Sequence, residues 1–155
     1  MERNFFSWIV YILENYGTWF LRGTGTTLLI SFLGTLIGFL IGLGICTVKT
    51  APQPHNKLKM ILMKIINIIF SCYVEIFRGT PMMVQSIVIY FGMQEFIGIN
   101  FSPTVAGIII VSINTGAYMV EVVRGGIQSV DLGQMEAARS IGMTHWQAMF
   151  YIILP

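Results

Sequence analysis

From Gly23 to Val48 the chain carries 26 consecutive residues without a charge, between Arg22 and Lys49. As a helix at ~1.5 Å per residue this run reaches about 39 Å, more than the ~30 Å hydrocarbon core of a bilayer. A helix satisfies every backbone N–H and C=O inside the segment, which lipid requires. Composition agrees: 10% of residues are charged, against about 25% in soluble domains. The chain is therefore predicted to be an all-α, polytopic membrane protein. A net charge of +2 gives no reason to expect a nucleic-acid partner. Gly34, Gly38 and Gly42 recur every fourth residue and form one smooth stripe, which lets a second helix backbone approach closely.

Two more spans are predicted, over 81–98 and 103–120. Residues 1–22 read as an interfacial segment, with Trp8, Tyr11, Tyr16 and Trp19 suited to the water–lipid boundary. Residues 23–155 form one transmembrane domain. The segment 51–55 is expected to turn. Beyond it Lys57, Lys64, Asn67, Ser71, Glu75 and Arg78 recur at steps of three, four and seven, a polar stripe on an otherwise apolar helix. Such a helix is too charged to cross lipid alone, so it lies along the cytoplasmic interface or turns its stripe toward a partner protomer. Gly79 ends it; Thr80 is expected to cap the next helix and Pro81 to open it. Gln85 is placed inside the second span near its cytoplasmic end, as interhelical glue or as part of a substrate path. Ser112, Asn114 and Thr115 put polar groups near the middle of the third span. Buried polar groups in membranes usually face a bundle interior or a cavity, so Asn114 either bonds a neighbouring helix or, as the best single candidate, touches cargo. Glu121 and Arg124, at i and i+3, can pair.

The last 25 residues read as two short helices and a hinge. Asp131 is expected to cap the first, with Gln134 reaching back. Gly142 supplies the left-handed residue that ends it. Thr144 and Gln147 form a capping box for the second.

Glu136-Ala137-Ala138, then Gly142 after three residues, then Ile152, Leu154 and Pro155 after nine more, match the signature of ABC importer permeases. The string Tyr73, Glu75, Arg78-Gly79-Thr80-Pro81, followed by Gln85, resembles the subgroup that imports polar amino acids, as does 116–130. The resemblance implies a partial type I importer permease fold in a bacterial cell membrane. It implies ABC ATPase subunits that grip the loop around Gly142, an extracytoplasmic amino-acid-binding protein and a second permease copy. In that reading Ala137 and Ala138 let the loop helix sit deep in an ATPase groove, and Glu136 holds the helix in register. The permease itself would be no enzyme, ATP being hydrolysed on the separate subunits, and no cofactor or metal is implied. Family members continue through about two more membrane helices, so this chain alone is expected to be a fragment without secure transport activity.

Charge placement gives an orientation. With three crossings, Arg3 and Arg22 share one side with 96–103. Lys49, Lys57, Lys59, Lys64, Arg78, Arg124 and Arg139 hold the other, which the positive-inside rule assigns to the cytoplasm. The coupling loop would then be cytoplasmic and the N-terminus outside.

The sequence contains no phosphate-cradling G-x-x-x-x-G-K-[ST] and no H-E-x-x-H. Cys46 and Cys72 are isolated, and His55 and His145 are far apart, so no metal site is expected. Two other readings stay open: a permease for another small solute, and a non-transporting scaffold whose loop only anchors a partner. A channel is weaker still, because no selectivity filter or ring of charge is present.

Overall fold

The computed structural model describes residues 4–51 and 56–154. Most of the expected turn at 51–55, and Pro155 of the loop signature, lie outside the described residues. The chain order is α1 (Phe5–Lys49), α2 (Lys57–Gly79), α3 (Met82–Ile97), α4 (Pro103–Ser129), α5 (Leu132–Ser140) and α6 (His145–Ala148). A π-helical turn, Met149–Ile153, follows α6.

The glycine stripe of α1 is where the bundle closes. A Cβ on Gly34 would fall 2.6 Å from Val111, and one on Gly38 would fall 2.8 Å from Thr115 and 2.9 Å from the Ser112 carbonyl. Gly42 lies against Met119 and Val120, and Ile30 against Gly107. The paired numbers rise together along both helices, so α1 and α4 are parallel. Ala117 and Val120 of α4 and Cys46 of α1 are almost fully buried.

Two parallel neighbours allow only one net return between them. The chain divides it between α2 and α3. Tyr90 and Phe91 of α3 share an apolar groove with Pro103, Ala106 and Gly107, whereas Gln85 meets Asn114. Hence α3 is antiparallel to the first half of α4. The end of α2 meets the middle of α4, where the Tyr73 hydroxyl donates to the Ile113 carbonyl at 2.5 Å.

This changes which segments make the three crossings. The helices long and apolar enough to cross a membrane are α1, α2 and α4. Helix α3 has 16 residues and reaches only about 24 Å, short of the ~30 Å core. Helix α2, in place of the expected 81–98, is thus the second candidate crossing, and a break separates it from α3. Gln85, in the first turn of α3, sits beside the middle of α4, where it meets Asn114.

Two more local expectations meet the structure. Helix α1 runs without interruption across the expected boundary at 22/23, so the described part of the first segment and the span after it form one helix. Thr80 does not cap α3: Pro81 occupies the N-cap position, and the Thr80 hydroxyl bonds back to the Ile76 carbonyl at 2.7 Å. The other ends carry ordinary local signals. Ser102 caps α4 with Pro103 in its first turn, and Gly98, at φ 73°, ends α3.

Candidate functional site

Two regions hold the side chains that the sequence singles out. The first is the break between α2 and α3. Gln85 is 7% exposed, and its amide nitrogen donates to the Phe77 and Thr80 carbonyls at 2.9 and 2.8 Å and reaches the Thr80 hydroxyl at 2.8 Å. Its amide oxygen accepts from Asn114 Nδ2 at 2.9 Å. Asn114 also approaches the Phe77 carbonyl at 3.4 Å. These carbonyls belong to the last turn of α2, which the break deprives of helical partners. Gln85 replaces those partners, and Asn114 fixes the break to α4.

The polar belt of α4 is therefore divided. Asn114 faces the break. Ser112 bonds back to the Ile108 carbonyl at 2.7 Å and lies with Thr115 against the glycine stripe of α1. Arg78 lies over the Tyr118 ring, 5.5 Å from its centroid, instead of pairing with Glu75. The ion pair recorded among the described residues is Glu121–Arg124, at 2.7 Å. Sequence reasoning missed Tyr73 as the strut between α2 and α4. A buried tyrosine hydroxyl seeks a partner, and Gly116, whose Cβ would lie 2.7 Å from that hydroxyl, makes room for it.

Because Gln85 and Asn114 complete one network, their loss should be coupled. Gln85→Leu is expected to lower stability by about 2 kcal/mol, since buried carbonyls lose their donors. Asn114→Ala should add little once Gln85 is gone. Unfolding of both single variants and the double in detergent gives a coupling energy, expected at about 0.6–1.7 kcal/mol.

On α2, Lys64, Asn67, Ser71 and Glu75 line one open groove of about 670 Å³, as the polar periodicity predicts. The Lys49 ammonium donates to the Ser71 hydroxyl at 3.2 Å. Asn67 Oδ1 is buried with no hydrogen-bond partner among the described residues.

The second region is the knuckle of α5 and α6. The Asp131 carboxylate accepts from the Gly133 N–H at 2.7 Å. Gln134 contributes its backbone N–H to the Asp131 carbonyl at 3.0 Å, so the expected reach of its side chain is replaced by a backbone bond. Gly142 has φ 88°. The Met143 N–H bonds to the Ala138 carbonyl at 3.1 Å and the Gly142 N–H to the Arg139 carbonyl at 3.1 Å, the paired bonds of a Schellman ending. Both halves of the Thr144–Gln147 capping box are present.

The three signature residues that open the loop point different ways. Ala138 is 2% exposed and packs inside the knuckle, whereas Glu136 and Ala137 are exposed. Of the two alanines expected to seat the loop helix, Ala137 is therefore the one on the surface, because successive helical side chains point about 100° apart. Ala148 and Met149 are buried, and Ile152 shares an open hollow with Asp131, Gln134, Ala137 and Ile141. Leu154 N–H bonds to the Met149 carbonyl at 2.9 Å, the five-residue step of a π-helical turn.

His145 stands at the start of α6 with Nε2 buried and without a hydrogen-bond partner. Burial, and secondarily the Arg139 charge, push its pKa below the ordinary histidine range. The unfolded knuckle therefore binds a proton more readily than the folded one. The histidine's contribution is intact above about pH 6.5 and is lost as pH falls from there toward the depressed folded pKa. Amide exchange in 138–149, corrected for intrinsic rates, should be faster at pH 5.5 than at pH 7.5. His145→Gln should flatten that difference.

Comparison with known proteins follows this geometry closely. Residues 57–155 match the family model described as "Binding-protein-dependent transport system inner membrane component". A probable amino-acid ABC transporter permease protein of Bacillus subtilis is 39% identical over 135 residues, covering 87% of this chain and 55% of that protein. A nopaline transport system permease protein of Agrobacterium fabrum is 33% identical, covering 95% of this chain and 60% of that protein. A crystal structure of an amino acid ABC transporter with histidines aligns with a TM-score of 0.73 at 40% identity, over all of this chain and 65% of that one. The chain thus spans about three-fifths of the length of the curated relatives it matches.

Proposed function

This chain belongs to the binding-protein-dependent transport system inner membrane components, and from that premise we propose that it is the permease part of an ATP-driven amino-acid importer. The observation that carries the proposal is the knuckle. A self-capped two-helix unit, held at a fixed angle by a left-handed glycine, projects from the end of a membrane helix with Glu136 and Ala137 exposed. Such a unit transmits force when a partner binds its two positions unequally.

In this reading ATPase subunits grip the knuckle from the cytoplasm, where the positive-inside rule puts it. The N-terminus is outside. An extracytoplasmic binding protein delivers a polar amino acid. A second permease copy, identical or similar, closes the translocation path. The polar groove of α2 faces that copy, which would give the orphan Asn67 carbonyl oxygen a donor. The break between α2 and α3 places backbone and amide groups halfway along α4, where non-helical backbone is tolerated if it lines a cavity or is covered by protein. Asn114 stands nearest the cargo; Gln85 acts as the clamp of the break.

The test is a cysteine at Ala137 in the chain produced with its full reading frame. It should react with impermeant maleimide only in inside-out vesicles. It should also cross-link to a co-expressed ATPase subunit, and amino-acid uptake should depend on that subunit. Labelling from the outer face, or uptake indifferent to the ATPase, would reject the assignment.

A further inference from the structure

Helix α1 is too long for the membrane that α4 fits. Its 45 residues span about 67 Å and the 27 of α4 about 40 Å, against ~40–45 Å for a bilayer with its headgroups. Tilt does not remove the excess. To fit 67 Å into 45 Å, α1 would need to lean by about 48°, beyond the 0–40° seen for membrane helices. It would also carry with it α4, to which it is locked in parallel register from Ile30 to Gly42.

The excess lies at one end. The register that joins Ile30 to Gly107 and Gly34 to Val111 places the first turn of α4 level with Thr26. Residues 5–22, about 27 Å of helix, project past that point. Phe5, Phe6, Trp19 and Leu21 are 74–78% exposed.

This projecting part has its own pattern. Asn4, Ser7, Tyr11, then Glu14 or Asn15, then Thr18 and Arg22 follow one another at steps of three or four. At ~100° per residue they fill about one-third of the circumference, and nearly everything else is aromatic or branched aliphatic. Trp8 and Trp19 border the stripe. A narrow polar face with an aromatic border along one side suits a helix lying in the headgroup plane.

Between this arm and the packed part of α1 stands Gly23-Thr24-Gly25-Thr26-Thr27. A Cβ on Gly23 or Gly25 would meet nothing within 4 Å, so these glycines serve no close approach. The Thr26 and Thr27 hydroxyls bond back to the Arg22 and Gly23 carbonyls at 3.0 and 2.9 Å, a pattern that weakens and bends helices. Poor helix formers, hydroxyls bonded back to the preceding turn and the end of tertiary packing coincide within one turn and a half.

We propose that α1 is hinged at Gly23–Thr27 and that residues 5–22 form an arm lying on the bilayer surface at the end where α4 begins, polar stripe to water and aromatic face to lipid. The occupant of the exposed face is thus the lipid headgroup boundary. The arm fixes the depth of the α1–α4 pair.

Two single-tryptophan forms test this: Trp8→Phe with Trp146→Phe, and Trp19→Phe with Trp146→Phe. Each is reconstituted in phosphatidylethanolamine–phosphatidylglycerol vesicles containing lipid brominated near the headgroup or near the chain end. The two tryptophans are 11 residues apart, about 16 Å along the helix. A surface arm gives both the same depth, each quenched more by shallow than by deep bromine. A straight α1 gives two depths, or leaves Trp8 unquenched, and either result overturns the proposal. A second readout guards against tryptophan-specific effects. With Cys46 and Cys72 replaced by alanine, Glu14→Cys should react with aqueous maleimide several-fold faster than Leu13→Cys. Equal rates would reject a surface helix, whether both positions react or neither does.

Discussion

Gly142→Val, placed in the protein with its full reading frame, should leave ATP hydrolysis running while uptake per ATP falls at least tenfold. The reason is local. Gly142 holds φ 88°, where a side chain with two branches at Cβ clashes with its own backbone. Holding an L-residue there costs roughly 1–2 kcal/mol. Relaxing that strain breaks the two bonds from Met143 and Gly142 to the Ala138 and Arg139 carbonyls. The angle between α5 and α6 is then no longer set, although each helix keeps its own cap at Asp131 or Thr144. A tenfold change in coupling corresponds to about 1.4 kcal/mol, which the lost geometry readily supplies. Gly142→Asn is the control. Asparagine visits the left-handed region routinely, so this variant should retain most uptake. Uptake and phosphate release measured in the same proteoliposomes distinguish the outcomes. If the valine variant transports as efficiently as the parent, the knuckle does not carry the stroke.

The knuckle was legible in the sequence because every determinant of it is local. Asp131, Gly142, Thr144 and Gln147 act on atoms within five residues of themselves, so their spacing alone fixes the outcome. The direction of Ala138 was not legible, since its burial depends on α6 and the π-helical turn folding back against α5. The bundle shows the same division. The Gly34–Gly38–Gly42 stripe announces a close helix neighbour but cannot say which one. The parallel register with α4 appears only in three dimensions.

The middle of the chain was harder to read for a definite reason. The stripe of lysines and carboxylates suggests that 57–80 lies along the interface or turns toward a partner protomer, and the lack of charge that 81–98 is a span; yet α2 is the one of the two long and apolar enough to cross. The joint between them, with Gln85 bonded to the Phe77 and Thr80 carbonyls, appears only in three dimensions. The sequence placed Gln85 and Asn114 as the two notable buried amides, 29 residues apart. It held no sign that they bond to each other. The boundary at residue 22 is a reverse case: the residues that suggest an interfacial segment are real, yet the helix continues through them.

Gly38→Ala should damage the bundle strongly, and Gly44→Ala, on the same helix, should be harmless. At Gly38 the added Cβ would lie 2.8 Å from Thr115 Cβ, 2.9 Å from the Ser112 carbonyl oxygen and 3.0 Å from the Gly116 backbone nitrogen. Two of these three neighbours are backbone, so no rotamer change relieves the contact and α4 itself must move away. Ser112 and Gly116 are buried, and Gly116 also accommodates the Tyr73 hydroxyl, so displacement is transmitted to the α2 strut. Overpacking of a tight interface costs typically ~1–3 kcal/mol, and Gly38 belongs at the upper end because the obstruction is main chain. A Gly38→Leu form should fail to assemble the α1–α4 pair. At Gly44 the same methyl meets nothing within 4 Å, and the exchange of glycine for alanine in a helix should stabilise by roughly 0.5–1 kcal/mol. Thermal unfolding in detergent reads both effects with opposite signs. Equal melting of the two variants would mean that the glycine stripe is not the contact that holds α1 to α4.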